Sequence, residues 1–263
     1  MNFFKWLFGL FKKPKQIKLG LALGSGGAKG FAELGALKAL EEAGLEFDYV
    51  AGTSIGSIVG AFYADGYSST DIYELLGKVG YMEIIKGPMI KMNTSGLQKV
   101  VDRNIGGKKI EELKKPFMAV ATEVESGTEF VFKSGSVAVA LAASSCYQPF
   151  FKPVVVNDKK YVDGAYTNSI PADLVKEMGA DYIVSIDLAD KDAKPGRKGV
   201  IPWEKGYTYS DTMLHPDLSG FTPLSFGEEN RAKMFEIGYN TALERLPKIK
   251  EDIEKLKQGK KIK

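Results

Sequence analysis

The clearest candidate for chemistry is a serine at the centre of a glycine-rich pentapeptide, Gly52 to Gly56. Its order, Gly-Thr-Ser-Ile-Gly, follows a predicted strand and opens a predicted helix. This G-x-S-x-G pattern is typical of a nucleophile elbow, a tight turn that projects a serine hydroxyl from the edge of a sheet. A glycine turn in which Ser54 only caps the next helix is the structural alternative. The strand-turn-helix context favours Ser54 as a nucleophile.

A second glycine-rich segment, Gly24 to Gly30, lies between another predicted strand and helix. Its glycines allow several backbone N–H groups to point into one space, which suits a phosphate or an oxyanion. A dinucleotide site would want an acid about 20 residues further on, where this chain has Gly-Thr-Ser. A P-loop needs Gly-Lys-Ser/Thr, whereas here Lys29 precedes Gly30 and Phe31. Both nucleotide interpretations weaken, and an oxyanion site or a purely structural turn remains.

A serine nucleophile needs a base, and this chain has one histidine. His215 lies in a loop-rich stretch, where it can complete a Ser-His-Asp triad or be a solvated surface residue. Asp163, between a predicted strand and Gly164, is the other candidate, although an isolated Asp-Gly pair usually marks a turn. An aspartate that takes the serine proton directly must be tuned by burial and helped by a strong oxyanion hole. The residues alone leave both bases open.

The elements that must position these residues alternate between strands and helices. This alternation predicts an α/β fold, a three-layer α/β/α sandwich with a central, mostly parallel sheet. Residues 190–225 are predicted as a long loop, followed by two helices after Gly227. The predicted strands are 17–23, 47–51, 117–124, 130–132, 154–156, 160–162 and 182–188, and the other predicted helices are 31–43, 55–64, 71–78, 95–104, 137–145 and 171–178.

Length and charge favour one soluble domain with basic ends. The 263 residues suffice for one large core, and the net charge of +3 comes from lysines concentrated at the two termini. A basic balance of this kind is weak support for nucleic acid, so no such partner is expected. The lone Cys146 excludes an intramolecular disulfide and a cysteine metal cluster, which fits a reducing compartment.

The N-terminal segment, residues 1–13, combines aromatic residues with lysines. Its apolar run is far shorter than the roughly 20 residues that span a bilayer, and it lacks the charge order and cleavage site of a secretory signal. Aromatic residues beside lysines suit a segment lying in a lipid interface. We therefore expect peripheral association at the cytoplasmic face of the inner membrane; packing of this segment on the domain surface is the alternative.

Taken in order, the motifs resemble the signature of the patatin-like phospholipase family. The signature is a glycine-rich loop ending in Lys-Gly, then G-x-S-x-G, then Asp-Gly-Ala. The stretch VDGAYTNSIPADLVKEMGAD and the segment before it, Ala143 to Pro153, are also similar to that family's sequence around its dyad aspartate. The resemblance extends over residues 17–190. We therefore divide the chain into a basic-aromatic segment (1–16), a patatin-like catalytic core (17–190) and a loop-rich stretch with C-terminal helices packed on the same domain (191–263).

The resemblance implies a role for each motif residue. Ser54 resembles the nucleophile, Asp163 the general base, Gly26 and Gly27 the oxyanion glycines, and Lys29 the basic residue of the loop. One departure is a serine, at position 25, where many members have the first glycine of a Gly-Gly-Gly run.

The same resemblance implies a serine acyl hydrolase that forms an acyl-enzyme on a lipid or fatty-acyl ester. It needs no metal or cofactor and makes His215 dispensable. A soluble esterase or thioesterase of the same fold, and a non-catalytic lipid-binding regulatory module, remain open.

Deleting residues 1–13 tests the predicted membrane segment. The truncated chain should bind liposomes several-fold more weakly in a sedimentation assay, because it loses the aromatic and lysine side chains that insert at the interface. Hydrolysis of a water-soluble ester should change much less, because that reaction needs no membrane contact. Equal liposome binding by the full-length and truncated chains would refute the anchor.

Overall fold

The computed structural model describes residues 16–79, 92–189 and 202–262. The segment predicted to lie at the membrane surface, residues 1–13, falls outside the described residues, as does part of the predicted loop. Within the described ranges, no helix is both long and apolar enough to cross a bilayer.

One mixed, eight-stranded sheet forms the centre of the described structure, in the order β5-β6-β3-β2-β1-β7-β8, with β4 beside β3. The five strands from β3 to β8 along this order run parallel, whereas β4, β5 and β6 are antiparallel to their neighbours. The strands are β1 (Leu19–Leu23), β2 (Tyr49–Thr53), β3 (Phe117–Glu123), β4 (Glu129–Phe132), β5 (Val154–Val156), β6 (Lys159–Asp163), β7 (Tyr182–Ile186) and β8 (Thr212–Leu214).

Helices cover both faces of this sheet. They are α1 (Gly30–Glu42), α2 (Ile55–Ala64), α3 (Ser69–Lys78), α4 (Ser95–Ile105), α5 (Val137–Ser144), α6 (Ala172–Glu177), α7 (Glu204–Tyr209) and α8 (Glu228–Lys257). Side chains alternate across β1, so Leu21 and Leu23 enter one core with residues of α1, α2 and α8. Ala22 enters a second core with Leu174 and Val175 of α6. The predicted three-layer α/β/α architecture is confirmed.

Two predictions for the C-terminal part of the chain are wrong. The stretch predicted as loop contains α7 and β8, and β8 extends the sheet by pairing in parallel with β7. A three-residue strand has no periodicity of its own, so only its partner defines it. The two predicted closing helices are one 30-residue helix, α8, which continues through Pro247. Buried side chains on both sides of this proline, Ala242 and Ile249, hold the helix on the core despite the missing N–H group.

Glycines allow α8 to lie directly against α1. A Cβ atom added to Gly238 would lie 1.9 Å from the carbonyl oxygen of Ala32, and one added to Gly35 would lie 1.9 Å from that of Phe235. The two backbones are therefore in contact without intervening side chains. Because α1 begins at the glycine-rich loop, this contact also fixes the position of that loop.

Replacing Gly238 by alanine tests this contact. Alanine is favoured over glycine in helices by about 1 kcal/mol, but here its methyl group would overlap a backbone oxygen. The free energy of unfolding should therefore fall, by about 1–3 kcal/mol, in urea denaturation. Gly227→Ala is the matched control, since its Cβ would lie 3.7 Å from the nearest atom, Nδ2 of Asn230. A Gly238→Ala protein as stable as the wild type would contradict the close packing.

Candidate active site

The turn between β2 and α2 holds Ser54 in an uncommon backbone conformation, with φ 56° and ψ −123°. A non-glycine residue in this region costs about 1–3 kcal/mol. The flanking glycines make room for the turn: a Cβ atom on Gly52 would lie 2.2 Å from the Gly56 oxygen, and one on Gly56 would lie 2.4 Å from the Leu23 oxygen. The G-x-S-x-G pattern thus has a steric cause, and it presents the serine at the carboxyl edge of the sheet.

Ser54 and Asp163, which are 109 residues apart in the chain, meet at this edge. The Ser54 hydroxyl donates a hydrogen bond of 2.7 Å to Oδ2 of Asp163. The other carboxylate oxygen, Oδ1, accepts the backbone N–H of Ala165 at 2.9 Å. Strand β6 brings Asp163 here through its antiparallel pairing with β3, where Asp163 lies opposite Ala121. The arrangement can pass the serine proton directly to a carboxylate.

Burial changes the basicity of the Asp163 carboxylate. The residue is 1% exposed, and burial raises its pKa to about 7, opposed by the hydrogen bonds from the Ala165 N–H and the Ser54 hydroxyl. A catalytic base is most effective when its pKa lies close to the working pH. The carboxylate is therefore a much stronger base than an exposed aspartate.

Two further polar contacts hold the elbow, and sequence reasoning gave neither a role. The backbone N–H of Ser54 donates to the hydroxyl of Ser144, at the end of α5, at 2.8 Å. The hydroxyl of Thr53 donates to the carbonyl oxygen of Asn168 at 2.8 Å. Ser144 and Asn168 are fully buried. No local pattern marks such residues, because their partners are distant in sequence.

The glycine-rich loop lies at the end of β1, beside the elbow. The backbone N–H of Ser25 donates to the carbonyl oxygen of Ser169 at 3.1 Å. The backbone N–H of Ala28 donates to the carbonyl oxygen of Pro223 at 2.8 Å. Among the described residues, the N–H groups of Gly26 and Gly27 have no hydrogen-bond acceptor. Two adjacent N–H groups without acceptors are available to donate to an oxyanion, and the oxyanion role of Gly26 and Gly27 stays a prediction.

The loop also depends on the long C-terminal segment. Gly27 has φ 58°, and a Cβ atom there would lie 2.5 Å from the carbonyl oxygen of Pro223. Glycine is therefore required on both counts. Lys29 is 3% exposed and directly precedes α1. Its predicted contact with substrate stays a prediction.

The structure does not bring His215 to the serine. Its ring nitrogens lie 3.1 Å from the Tyr207 hydroxyl and 3.1 Å from the Ala189 carbonyl oxygen. His215 follows β8, three strands from β2, which corresponds to about 14 Å at the usual strand spacing. The lone Cys146 is also unsuited to act as a nucleophile, because burial raises the pKa of its thiol to about 12.

A buried carboxyl group, Glu33, lies in the first turn of α1, just after the glycine-rich loop. The residue is fully buried, and no side chain pairs with it in the described part of the chain. Burial raises its pKa well above the usual range, with only the Gly24 backbone opposing the shift. We therefore expect Glu33 to be neutral at pH 7, so that it adds no negative charge beside the glycine-rich loop. Sequence reasoning missed it, because it fits a helical pattern of polar and apolar residues.

The site combines a serine hydrogen-bonded to a buried aspartate with two backbone N–H groups that lack acceptors among the described residues, an arrangement that suits a serine hydrolase. The profile of the family described as patatin-like phospholipase matches residues 21–176. The chain belongs to this family, which confirms the resemblance predicted from its motifs. The family's description, patatin-like phospholipase, agrees with the predicted class of enzyme.

Named relatives agree with this assignment. The chain is 34% identical over 193 residues to patatin-like phospholipase domain-containing protein 6 of Mus musculus, covering 66% of this chain and 14% of that protein. It is 31% identical over 183 residues to lysophospholipase nte1 of Aspergillus fumigatus, covering 66% and 12%. The chain thus spans about a seventh of the length of these relatives.

Solved structures show the same fold at low identity. Human GIVD cytosolic phospholipase A2, in complex with methyl gamma-linolenyl fluorophosphonate, has a TM-score of 0.57 at 13% identity, covering 95% of this chain and 61% of that one. VipD from Legionella pneumophila has a TM-score of 0.55 at 15% identity, covering 89% and 67%. At such identities the likeness concerns the fold.

The raised pKa of Asp163 predicts the pH dependence of the reaction. A base acts in its deprotonated form, so kcat/KM for a soluble ester should rise about tenfold per pH unit and level off above the pKa of about 7. An imidazole generally titrates in the same range, so His215→Ala is the control. The variant should keep the same profile; loss of the acidic limb in His215→Ala would assign the base to the histidine.

Glu33→Gln tests whether the buried carboxyl group is neutral. Glutamine has the shape of a neutral carboxyl group, so the variant should fold and keep most of the wild-type kcat/KM at pH 7. A raised pKa in the folded state means that stability is lost as pH rises above the usual value of 4.5. The wild type should therefore lose free energy of unfolding relative to Glu33→Gln between pH 4.5 and 7. If the free energies of unfolding of the two proteins changed in parallel with pH, the pKa of Glu33 would not be raised in the folded state.

Proposed function

We propose that the chain is a serine acyl hydrolase that cleaves acyl esters of lipids through a Ser54–Asp163 dyad and an acyl-enzyme intermediate. The observation that supports this most is the 2.7 Å hydrogen bond from the Ser54 hydroxyl to a buried carboxylate. Through this bond a carboxylate whose pKa is raised to about 7 could accept the serine proton without a third residue.

In the first half of the reaction, Ser54 Oγ attacks the ester carbonyl carbon while Asp163 Oδ2 accepts the serine proton. The carbonyl π electrons move to oxygen, and the N–H groups of Gly26 and Gly27 donate to this oxyanion. Loss of one such donor typically costs about 10²–10³ in rate. The tetrahedral intermediate then expels the alcohol or lysolipid, which takes the proton from Asp163, and an acyl-Ser54 ester remains.

In the second half, Asp163 accepts a proton from a water molecule as that water attacks the acyl-enzyme. The same two N–H groups stabilise the second oxyanion. When it collapses, the Ser54 oxygen leaves and recovers its proton from Asp163, and the fatty acid is released. One carboxyl group thus acts as base and then acid in each half-reaction, which suits a pKa of about 7.

Lipid is the substrate class that the relatives favour, since their names include phospholipase and lysophospholipase. We further propose that the protein works at the cytoplasmic face of the inner membrane, with residues 1–13 lying in the lipid interface. A soluble esterase or thioesterase of the same fold would hydrolyse water-soluble esters but not the phospholipids of a vesicle. A non-catalytic lipid-binding module would hydrolyse neither.

Three variants test the dyad. Ser54→Ala and Asp163→Asn should each lower kcat for a soluble ester by about 10⁴ or more, while His215→Ala should keep most of the wild-type rate. Circular dichroism should show that all three fold like the wild type. Substantial hydrolysis by Ser54→Ala would rule out the assigned nucleophile, and a large loss in His215→Ala would restore a triad.

A further inference from the structure

Three aromatic rings form an exposed stack near the dyad. Tyr147, Phe150 and Tyr166 are 47%, 40% and 37% exposed. The rings of Tyr147 and Tyr166 are parallel, with centroids 5.4 Å apart and planes 5° apart, and Phe150 stacks on Tyr147 at 6.5 Å. Adjacent exposed rings of this kind are a candidate interaction surface. We call Tyr147, Phe150 and Tyr166 the aromatic stack.

Both chain segments that carry the aromatic stack are connected directly to the proposed base, Asp163. Tyr166 lies three residues after Asp163, in the short turn Gly164–Tyr166. On the other side, the backbone N–H of Asp163 donates to the carbonyl oxygen of Cys146 at 3.0 Å, and Tyr147 is the next residue. Any surface that contacts the stack therefore comes within a few residues of the proposed base.

Hydrogen bonds hold the aromatic stack in place before any partner arrives. The Tyr166 hydroxyl donates to the carbonyl oxygen of Gln148 at 3.0 Å and accepts the N–H of the same residue at 3.1 Å. Tyr166 is thereby tied to the loop that carries Tyr147 and Phe150. Ordering exposed side chains normally opposes binding, and here much of that ordering is already present in the fold.

The composition around the aromatic stack favours a lipid surface as its partner. Tyrosine is enriched where membranes meet water, because the ring is apolar and the hydroxyl is polar. The two segments that bear the stack, 145–153 and 164–170, contain one charged side chain, that of Lys152, and no acid. Lys152 is exposed, so the patch can approach anionic headgroups without repulsion.

From these observations we propose that the aromatic stack docks the active site on the lipid–water interface and presents interfacial ester to Ser54. The proposal rests on the proposed function for its substrate, but it concerns a surface distinct from residues 1–13. Both surfaces would contribute to membrane binding, but only the stack would also orient the dyad towards the lipid.

The double variant Tyr147→Ser/Phe150→Ser tests the proposal in the full-length chain. Tyr166 is left unchanged because its hydroxyl holds the loop. The kcat/KM is measured on vesicles of phosphatidylcholine with a minority of phosphatidylglycerol, and on p-nitrophenyl butyrate in solution. The ratio of the vesicle value to the soluble value should fall at least tenfold.

The matched control is Tyr209→Ser. Tyr209 is 46% exposed and ends α7 shortly before β8 begins. It therefore lies near the amino ends of the parallel strands, whereas Ser54 lies at their carboxyl ends. Its ratio should stay within twofold of the wild type. A similar fall in Tyr209→Ser would show that general surface hydrophobicity, rather than the aromatic stack, governs action on vesicles.

Three results would overturn the proposal. An unchanged ratio in the double variant would show that the stack does not dock on lipid. An equal loss on both substrates would show that the rings only support the dyad. A shift from dimer to monomer in size-exclusion chromatography would show that the stack binds a second copy.

A vesicle-binding experiment tests the aromatic stack independently of the proposed catalytic function. Vesicle sedimentation of the full-length Ser54→Ala protein is compared with and without the Tyr147→Ser/Phe150→Ser change. We expect several-fold weaker sedimentation when the stack is removed. This readout needs no hydrolysis, so it still tests the stack if the dyad assignment fails, and equal sedimentation would count against docking.

Discussion

The site depends on one hydrogen bond, the 2.7 Å contact between the Ser54 hydroxyl and the Asp163 carboxylate. Ser54 lies in the turn after the parallel strand β2, and Asp163 is the last residue of the antiparallel strand β6. Both strands pair with β3, so the register of these two pairings sets the distance. A shift of one residue in either pairing would turn one side chain to the other face of the sheet.

Burial and hydrogen bonding have opposite effects on the pKa of Asp163. Asp163 must be buried to become a strong base, yet a buried carboxylate without hydrogen bonds would simply stay protonated. The Ala165 N–H and the serine hydroxyl supply that compensation, which leaves the pKa at about 7. Glu33 lacks a comparable side-chain partner and is expected to remain neutral. Burial raises the pKa of both carboxyl groups, and the hydrogen bonds to Asp163 oppose that rise where Glu33 has only the Gly24 backbone.

The residues of the motifs could be predicted from sequence because steric requirements mark them. Gly52 and Gly56 leave room for the elbow, and Gly27 leaves room for Pro223. Contacts between distant segments could not be predicted in this way. Ser144, Pro223 and the strand β8 show no local signal, since each is defined by a partner elsewhere in the fold. The helix through Pro247 was missed for a related reason, because tertiary packing outweighs the local preference of proline to end a helix.

The central claim is that Ser54 is the residue that becomes acylated. Peptide mapping by mass spectrometry after reaction with an alkyl fluorophosphonate tests it most directly, since this reagent leaves a stable adduct on an activated serine. The account predicts a single adduct, located on Ser54, formed at the same site when His215 is replaced by alanine. An adduct on another residue, or no adduct in an enzyme that hydrolyses esters, would contradict it.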